Sequence, residues 1–261
     1  MNKFRTIHKK YKESKKSSFA IYITLRILVI ACMILQLLRG EYENAFVCLL
    51  SLILFTLPII IQDKFKIELP NTLEIIIYFF IFSAEILGEI YDFYGSIQHW
   101  DTILHTINGF ICAGIGFALF DLLNKNSKNF NLSPFYITLM AFCFSMTVGV
   151  CWEFFEYALD MTINTNTQKD DIVTTVISPY LNKDDNKSLV IDNINKTIIY
   201  DSSGNELAVI DNGYLDIGLN DTMEDLIVNF IGAFIFSIMG YFYIKNKEKY
   251  KFTENFIPKK L

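Results

Sequence analysis

The chain has 261 residues, 52% of them hydrophobic and 15% aromatic, with a formal net charge of −5 and a mean hydropathy of +0.32. Apolar residues lie in long blocks with the charges between them, which excludes a soluble globular domain and indicates an integral membrane protein. The basic residues sit at the two ends, beside apolar blocks, where they act as topology signals and not as a nucleic-acid-binding surface.

Residues 1–18 form a basic segment containing Lys3, Arg5, Lys9, Lys10, Lys12, Lys15 and Lys16. The first apolar block, about 19–38, is too long for a signal-peptide core and lacks a small-residue cleavage site. A second block covers about 45–61, with Pro58 near its end as a kink or early stop. The third, about 73–94, is interrupted by Glu85, Glu89 and Asp92. The fourth, about 100–123, contains Asp101, His105 and Asn108. The fifth, about 135–159, contains Glu153 and Glu156. The sixth, about 223–244, contains Glu224, Asp225 and Asn229. Each is near the length of about 20 residues that crosses a bilayer.

Between the fifth and sixth blocks lies a polar stretch, 160–220. The runs Leu189-Val190-Ile191, Thr197-Ile198-Ile199-Tyr200, Leu207-Ala208-Val209-Ile210 and Tyr214-Leu215-Asp216-Ile217 alternate like strands. Asn212-Gly213 is a hairpin signal. A small antiparallel meander is expected there. The predicted fold is thus an all-α membrane protein of about six transmembrane helices, with a small external β-rich loop between helices five and six. Its parts are a basic segment 1–18, helices one to five over 19–159, the loop 160–220, helix six over 221–245 and a basic tail 246–261.

Lysines mark the N-terminus, the loop with Lys64 and Lys66, the loop with Lys125 and Lys128, and the C-terminus. Six spans place all four on one side, which the positive-inside rule makes cytoplasmic. The expected location is the cell membrane, multi-pass, with both termini cytoplasmic. The five cysteines all fall in apolar blocks and form no CxxC pair. That pattern predicts small buried thiols rather than disulfides or a thiolate metal site.

The charges inside the blocks follow helical spacing. Asp101 and His105 are four apart; Glu153, Glu156 and Asp160 are three and then four apart; Asp221, Asp225 and Asn229 repeat every four; Glu85, Glu89 and Asp92 follow the same rhythm. Glu153 lies roughly 10 Å along its helix from Asp160, and Asn229 about 12 Å from Asp221. Ionisable groups at that depth are costly in lipid and should face one another or water. Carboxylates, an imidazole and an amide suit a divalent cation such as Mg²⁺, Mn²⁺, Ca²⁺ or Zn²⁺. The candidate ligands are Asp101, His105, Glu153, Glu156, Asp160, Asp221 and Asp225. His105, Glu153 and Glu156 are candidate catalytic groups, with Glu89 and Asn229 completing a polar network.

Plainer roles compete. Asp221 and Glu224 suit a helix cap, Asp101 suits the helix dipole, and Asp92 and Asp160 suit a solvated loop edge. Glu153, Glu156, His105 and Asn229 could be interhelical hydrogen-bonding groups, and Gly109, Ala113, Gly114 and Gly116 suit close helix packing.

Three stretches, WDTILHTINGF at 100–110, WEFFEYALD at 152–160 and DTMEDLIVNFIGA at 221–233, together resemble the YjdF-like family of bacterial membrane proteins. A fainter similarity is to VanZ-like proteins. The resemblance covers roughly 70–245 and marks Asp101, His105, Trp152, Glu153, Glu156, Asp160, Asp221, Asp225 and Asn229 as family-type polar positions. It supplies no reaction. Three functions fit: a metal-dependent enzyme acting on a lipid or envelope precursor at the outer leaflet, with its site at the outer end of helices three to six; a transporter of a cation or small solute; and a non-catalytic factor whose external loop binds a partner.

Overall fold

The computed structural model describes residues 16–127, 131–182 and 187–260. The basic residues before Lys16, Lys128 of the middle loop and the polar residues 183–186 lie outside this range.

The chain divides into two compact units, Met1–Gly149 with Asp225–Leu261, and Val150–Glu224. Five helical stretches are long and apolar enough to cross a membrane: Ser17–Arg39, Tyr42–Phe65, Trp100–Asn126, Pro134–Ile163 and Leu219–Lys245. Many of their large apolar side chains, Ile27, Phe46, Ile103 and Phe234 among them, are exposed. In water such a surface would aggregate; against acyl chains it is stable.

Helix α1 (Lys16–Arg39) packs on α2 (Tyr42–Leu54). The second stretch is broken at Phe55–Thr56 and resumes as α3 (Leu57–Phe65), with Pro58 in its first turn. Proline lacks the N–H and clashes one turn back, so the break falls just before it. The effect of Pro58 is therefore an internal interruption and not a stop. A short strand, β1 (Ile67–Glu68), follows.

The third predicted block differs most from a plain span. Helix α4 (Asn71–Ile81) continues directly into a π-helix, Phe82–Ile90. The N–H of Tyr91 still bonds five residues back, to Ile86. Asp92 then adopts a left-handed backbone, φ 53°, so the helix ends before the predicted Tyr94. A short α5 (Phe93–Ser96) leads to α6 (Trp100–Asn126). Helix α7 (Pro134–Ile163) and α8 (Leu219–Lys245) overrun their predicted ends by several residues.

Tyr22, Val29 and Cys32 of α1, Cys48 of α2 and Tyr78 and Ile81 of α4 form one core. Ala113 and Phe117 of α6, Ile137 and Ala141 of α7, and Ala233 and Phe236 of α8 form another. Leu73 of α4 and Ile111 of α6 link α4 to α6. The cysteines are all unpaired as disulfides, as expected, but only Cys32 and Cys48 are buried; Cys112 is half-buried, and Cys143 and Cys151 are exposed. An apolar block says nothing of which helix face a residue occupies, and these two point outward.

The C-terminal tail is ordered and not a free basic tail. A 3₁₀ turn, Lys251–Phe256, precedes β8 (Lys259–Lys260), which pairs antiparallel with β1. Lys260 Nζ also reaches Asn126 Oδ1, 3.3 Å away. The end of α6, the chain after α3 and the C-terminus are thereby gathered at one end of this unit.

In the second unit, β2 (Asp171–Val173), β3 (Val176–Ser178), β4 (Leu189–Ile191), β5 (Lys196–Tyr200), β6 (Glu206–Asp211) and β7 (Tyr214–Asp216) make three two-stranded ribbons. The pairs are β2–β7, β3–β4 and β5–β6, all antiparallel. Only β5–β6 is a hairpin of consecutive runs in the expected meander. The remaining strands nest because the unpredicted β2 and β3 capture β7 and β4. Asn212 (φ 66°) turns the chain from β6 into β7, as its Asn-Gly step predicts.

The β5–β6 turn is held by Asp201. Its carboxylate accepts from the side-chain amide of Asn205 and from the backbone N–H groups of Asn205 and Ser203. The Asn205 side chain foremost, and then its backbone, hold the Asp201 carboxyl below the usual aspartate range. A depressed carboxyl stabilises the turn above its unfolded pKa, and that support is lost as pH falls through the folded value. Asp201→Ala is expected to accelerate hydrogen exchange of the 196–211 amides at neutral pH and to leave it near parental under strong acid. A neutral-pH profile identical to the parent would remove this role.

Candidate functional site

The site grows from the packing of α6 against α8. A Cβ placed on Gly109 would lie 2.1 Å from the carbonyl oxygen of Asn229, and one on Gly232 would lie 2.0 Å from the carbonyl of Thr106. The two backbones therefore touch at two points, which only glycine permits. Helix α7 joins them: Ser145 Oγ donates to the carbonyl of Gly109 at 2.8 Å, and a Cβ on Gly149 would meet the Asn229 amide at 2.7 Å.

Asn229 sits where the three helices meet and is 1% exposed. Its Oδ1 accepts from Asn108 Nδ2 at 3.4 Å, and its Nδ2 approaches Met146 Sδ at 3.6 Å. Asn108 Oδ1 in turn accepts from Cys112 Sγ at 3.5 Å. Both amides are thereby fixed, which a buried polar group requires.

One turn nearer the start of α6 lies the charged part. His105 Nε2 is 3.4 Å from Asp101 Oδ1 and 3.5 Å from Asp225 Oδ2. The three ligating atoms lie within 4.8 Å of one another. The Asp225 and His105 side chains are 6% and 12% exposed, and Asp101 27%. Asp101 and His105 share a face of α6 because they are four apart; Asp225 comes from α8, held opposite by the Gly109 and Gly232 contacts. The column thus runs from Asp101, His105 and Asp225 to Asn108, Asn229 and Cys112.

Of the residues singled out from sequence, Asp101, His105, Asp225 and Asn229 come together here. Glu89, on the π-helix, is exposed, and Glu85 half-buried. Glu153, Glu156, Asp160 and Asp221 belong to the second unit. There Glu153 is buried, and Trp152 Nε1 donates to Glu156 Oε1 at 2.9 Å. Asp160 accepts from the backbone N–H groups of Thr167 and Gln168 and from the hydroxyls of Thr165 and Thr167. Asp221 Oδ2 accepts the N–H of Lys169 at 2.9 Å. These two carboxylates hold the 164–170 loop.

Asn108, Cys112, Ser145 and Gly149 are site neighbours that the sequence reading did not select. The first two could have been found: they continue the 101–105 face at helical spacing. Ser145 and Gly149 carry no such signal, since their role depends on which face of α7 meets α8. A cavity of about 480 Å³ lies elsewhere, lined by Asp121, Asn124, Lys125, Ser133, Tyr243 and Lys247 among others. None of the site residues line it.

Residues 20–246 match the family described as predicted membrane protein (DUF2238). An uncharacterized protein of Thermotoga maritima is 31% identical over 113 residues, covering 42% of this chain and 57% of that one. The match thus spans little more than half of that relative's length. No solved structure matches the chain. The matched span contains α6, α7 and α8 with the whole polar column, and the chain belongs to this DUF2238 family of predicted membrane proteins, consistent with its resemblance to YjdF-like proteins.

Proposed function

We propose that Asp101, His105 and Asp225 bind a divalent cation, and that the protein is a membrane-embedded enzyme acting on a lipid or envelope precursor. The observation that carries this is the approach of two carboxylate oxygens to one imidazole nitrogen at 3.4 and 3.5 Å. A charge-assisted hydrogen bond would draw the atoms to about 2.7–2.9 Å. Donor atoms around a tetrahedral ion, with bonds of about 2.0–2.2 Å, sit roughly 3.3–3.5 Å apart. An octahedral Mg²⁺ site would bring neighbouring donors to about 3 Å. Two carboxylates and an imidazole also suit a borderline ion such as Zn²⁺ among the four candidates.

Three protein ligands leave one tetrahedral position for water or substrate, the pattern of catalytic rather than structural zinc. Such an ion supplies a Lewis acid and an activated water. The chain's own part is to hold His105 between two carboxylates, with Asn229 and the glycine contacts setting the α6–α8 distance. On this reading the lysine-rich loops are cytoplasmic, with the C-terminus inside and the Asp101 end of α6 at the outer face. Transport of a cation is less well supported, because on α8 the polar face gives way to the buried Phe236 beyond Asn229.

Elemental analysis of the purified protein tests the proposal. Near-stoichiometric metal is expected in the parent and little in His105→Ala or Asp225→Ala. A metal-free parent after loading with Zn²⁺ and desalting would end the metal reading.

A further inference from the structure

The C-terminal tail does more than return to the membrane surface. The carbonyl oxygen of Phe256 lies 2.9 Å from where a Cβ on Gly114 would be. Gly114 is twelve residues from the end of α6 at Asn126, about 18 Å along the helix, and fourteen from its start. The tail therefore enters the bundle to the middle of α6. It returns at once, because Lys259 pairs with Glu68 and Lys260 reaches Asn126.

The tip is partly enclosed: Phe256 is half-buried, while Phe252 and Asn255 are exposed. Thr253 and Ile257 are buried at 0% and 6% exposure. The Phe256 ring meets Phe110 edge-on at 5.2 Å, Phe110 meets Phe236 at 5.2 Å, and Phe236 meets Phe117 at 5.9 Å. Glu254 is held at the mouth, accepting from Lys259 Nζ at 3.1 Å and from Tyr243 Oη at 3.3 Å, while the Thr253 side chain is buried. Non-helical backbone at membrane depth is stable only when buried in protein or lining a water-filled space. This segment meets that condition by filling the gap beside α6 and α8.

On α8, Phe236 lies seven residues beyond Asn229 on the face that carries Asp225 and Asn229, and it packs against Gly114 and the Phe110 ring, so the aromatic group follows the polar column along that face. We infer that residues 251–257 form a re-entrant plug that closes the polar column toward the face carrying the C-terminus, so that the site is served from the opposite face alone. The plug depends on the proposed function only for what it protects; the closure itself involves no metal. The small residue at 114 is explained too: a side chain there would expel the Phe256 carbonyl.

Cys112 reports on the column because it bonds to Asn108. In full-length protein with Cys32, Cys48, Cys143 and Cys151 replaced by alanine, a membrane-impermeant methanethiosulfonate is applied separately to right-side-out and everted vesicles. The expected result is no labelling of Cys112 from the C-terminal face in the parent. Labelling from that face should appear in Phe256→Ala, in Gly114→Leu and in a chain ending at Tyr250. Labelling of the parent from the C-terminal face overturns the plug. So does continued protection in the two point variants, which keep the whole tail and decide the matter if the shortened chain does not fold. Metal content is measured on the same samples: loss of metal with closure intact refutes the metal site alone, and leakage with metal retained refutes the plug alone.

Discussion

A leucine at Gly232 is expected to abolish the folded α6–α8 pair. Even the Cβ it adds would lie 2.0 Å from the Thr106 carbonyl and 2.9 Å from the Phe110 nitrogen. Both obstacles are backbone, so no rotamer change relieves them, and the helices must separate along their length. Overpacking in a close-packed interior costs about 1–3 kcal/mol where side chains can adjust; backbone contact at this distance exceeds that range. In a bilayer, helix association rests on such close packing and on interhelical hydrogen bonds, without a hydrophobic drive to restore it. Separation would also pull Asp225 from His105 and Asn229 from Asn108. Gly232→Leu should therefore be lost from the monodisperse fraction in mild detergent. Glycine 204, at a turn with φ 85° and open space around it, is the control: Gly204→Asn should be near parental. A well-behaved Gly232→Leu protein would mean that α6 and α8 do not pack as described.

The second large effect concerns thermal stability and metal. A ligand that binds only the folded state stabilises it by about 2.7 kcal/mol at one hundred times its dissociation constant. For a chain of this size that corresponds to roughly 5–10 °C in Tm. The parent is expected to gain such a shift with Zn²⁺ and to lose it on chelation. His105→Ala and Asp225→Asn should show neither response. Asp160→Asn should keep the parental response, because its carboxylate is engaged by Thr165, Thr167 and Gln168. Equal Zn²⁺ shifts in the parent and in His105→Ala would place the metal elsewhere. The contrast between Asp160 and Asp225 separates charges that hold a loop from charges that face one another.

Much of this organisation was legible before folding. Apolar block length located the spans, because each crossing must satisfy its own backbone hydrogen bonds over a bilayer thickness. The period of 3.6 placed Asp101 and His105 on one face, and Asp225 and Asn229 on another. Alternation and turn residues located β4 to β7. Local spacing could not show that Phe82–Ile90 winds as a π-helix, or that Gly88 lies against the Tyr94 ring. Nor could it show that Cys143 and Cys151 face outward.

That the protein is built for a membrane, and which helix faces carry charge, follow from block length and periodicity along one chain. Which charges meet was decided only by tertiary structure. Asp225 reaches His105 because Gly109 and Gly232 let two backbones touch, and the partner of each glycine lies more than a hundred residues away. The basic tail is the clearest case. Its composition reads as a solvated end, yet Phe256 and Ile257 enter the bundle, because Gly114 leaves room for a backbone that only the assembled helices could bury.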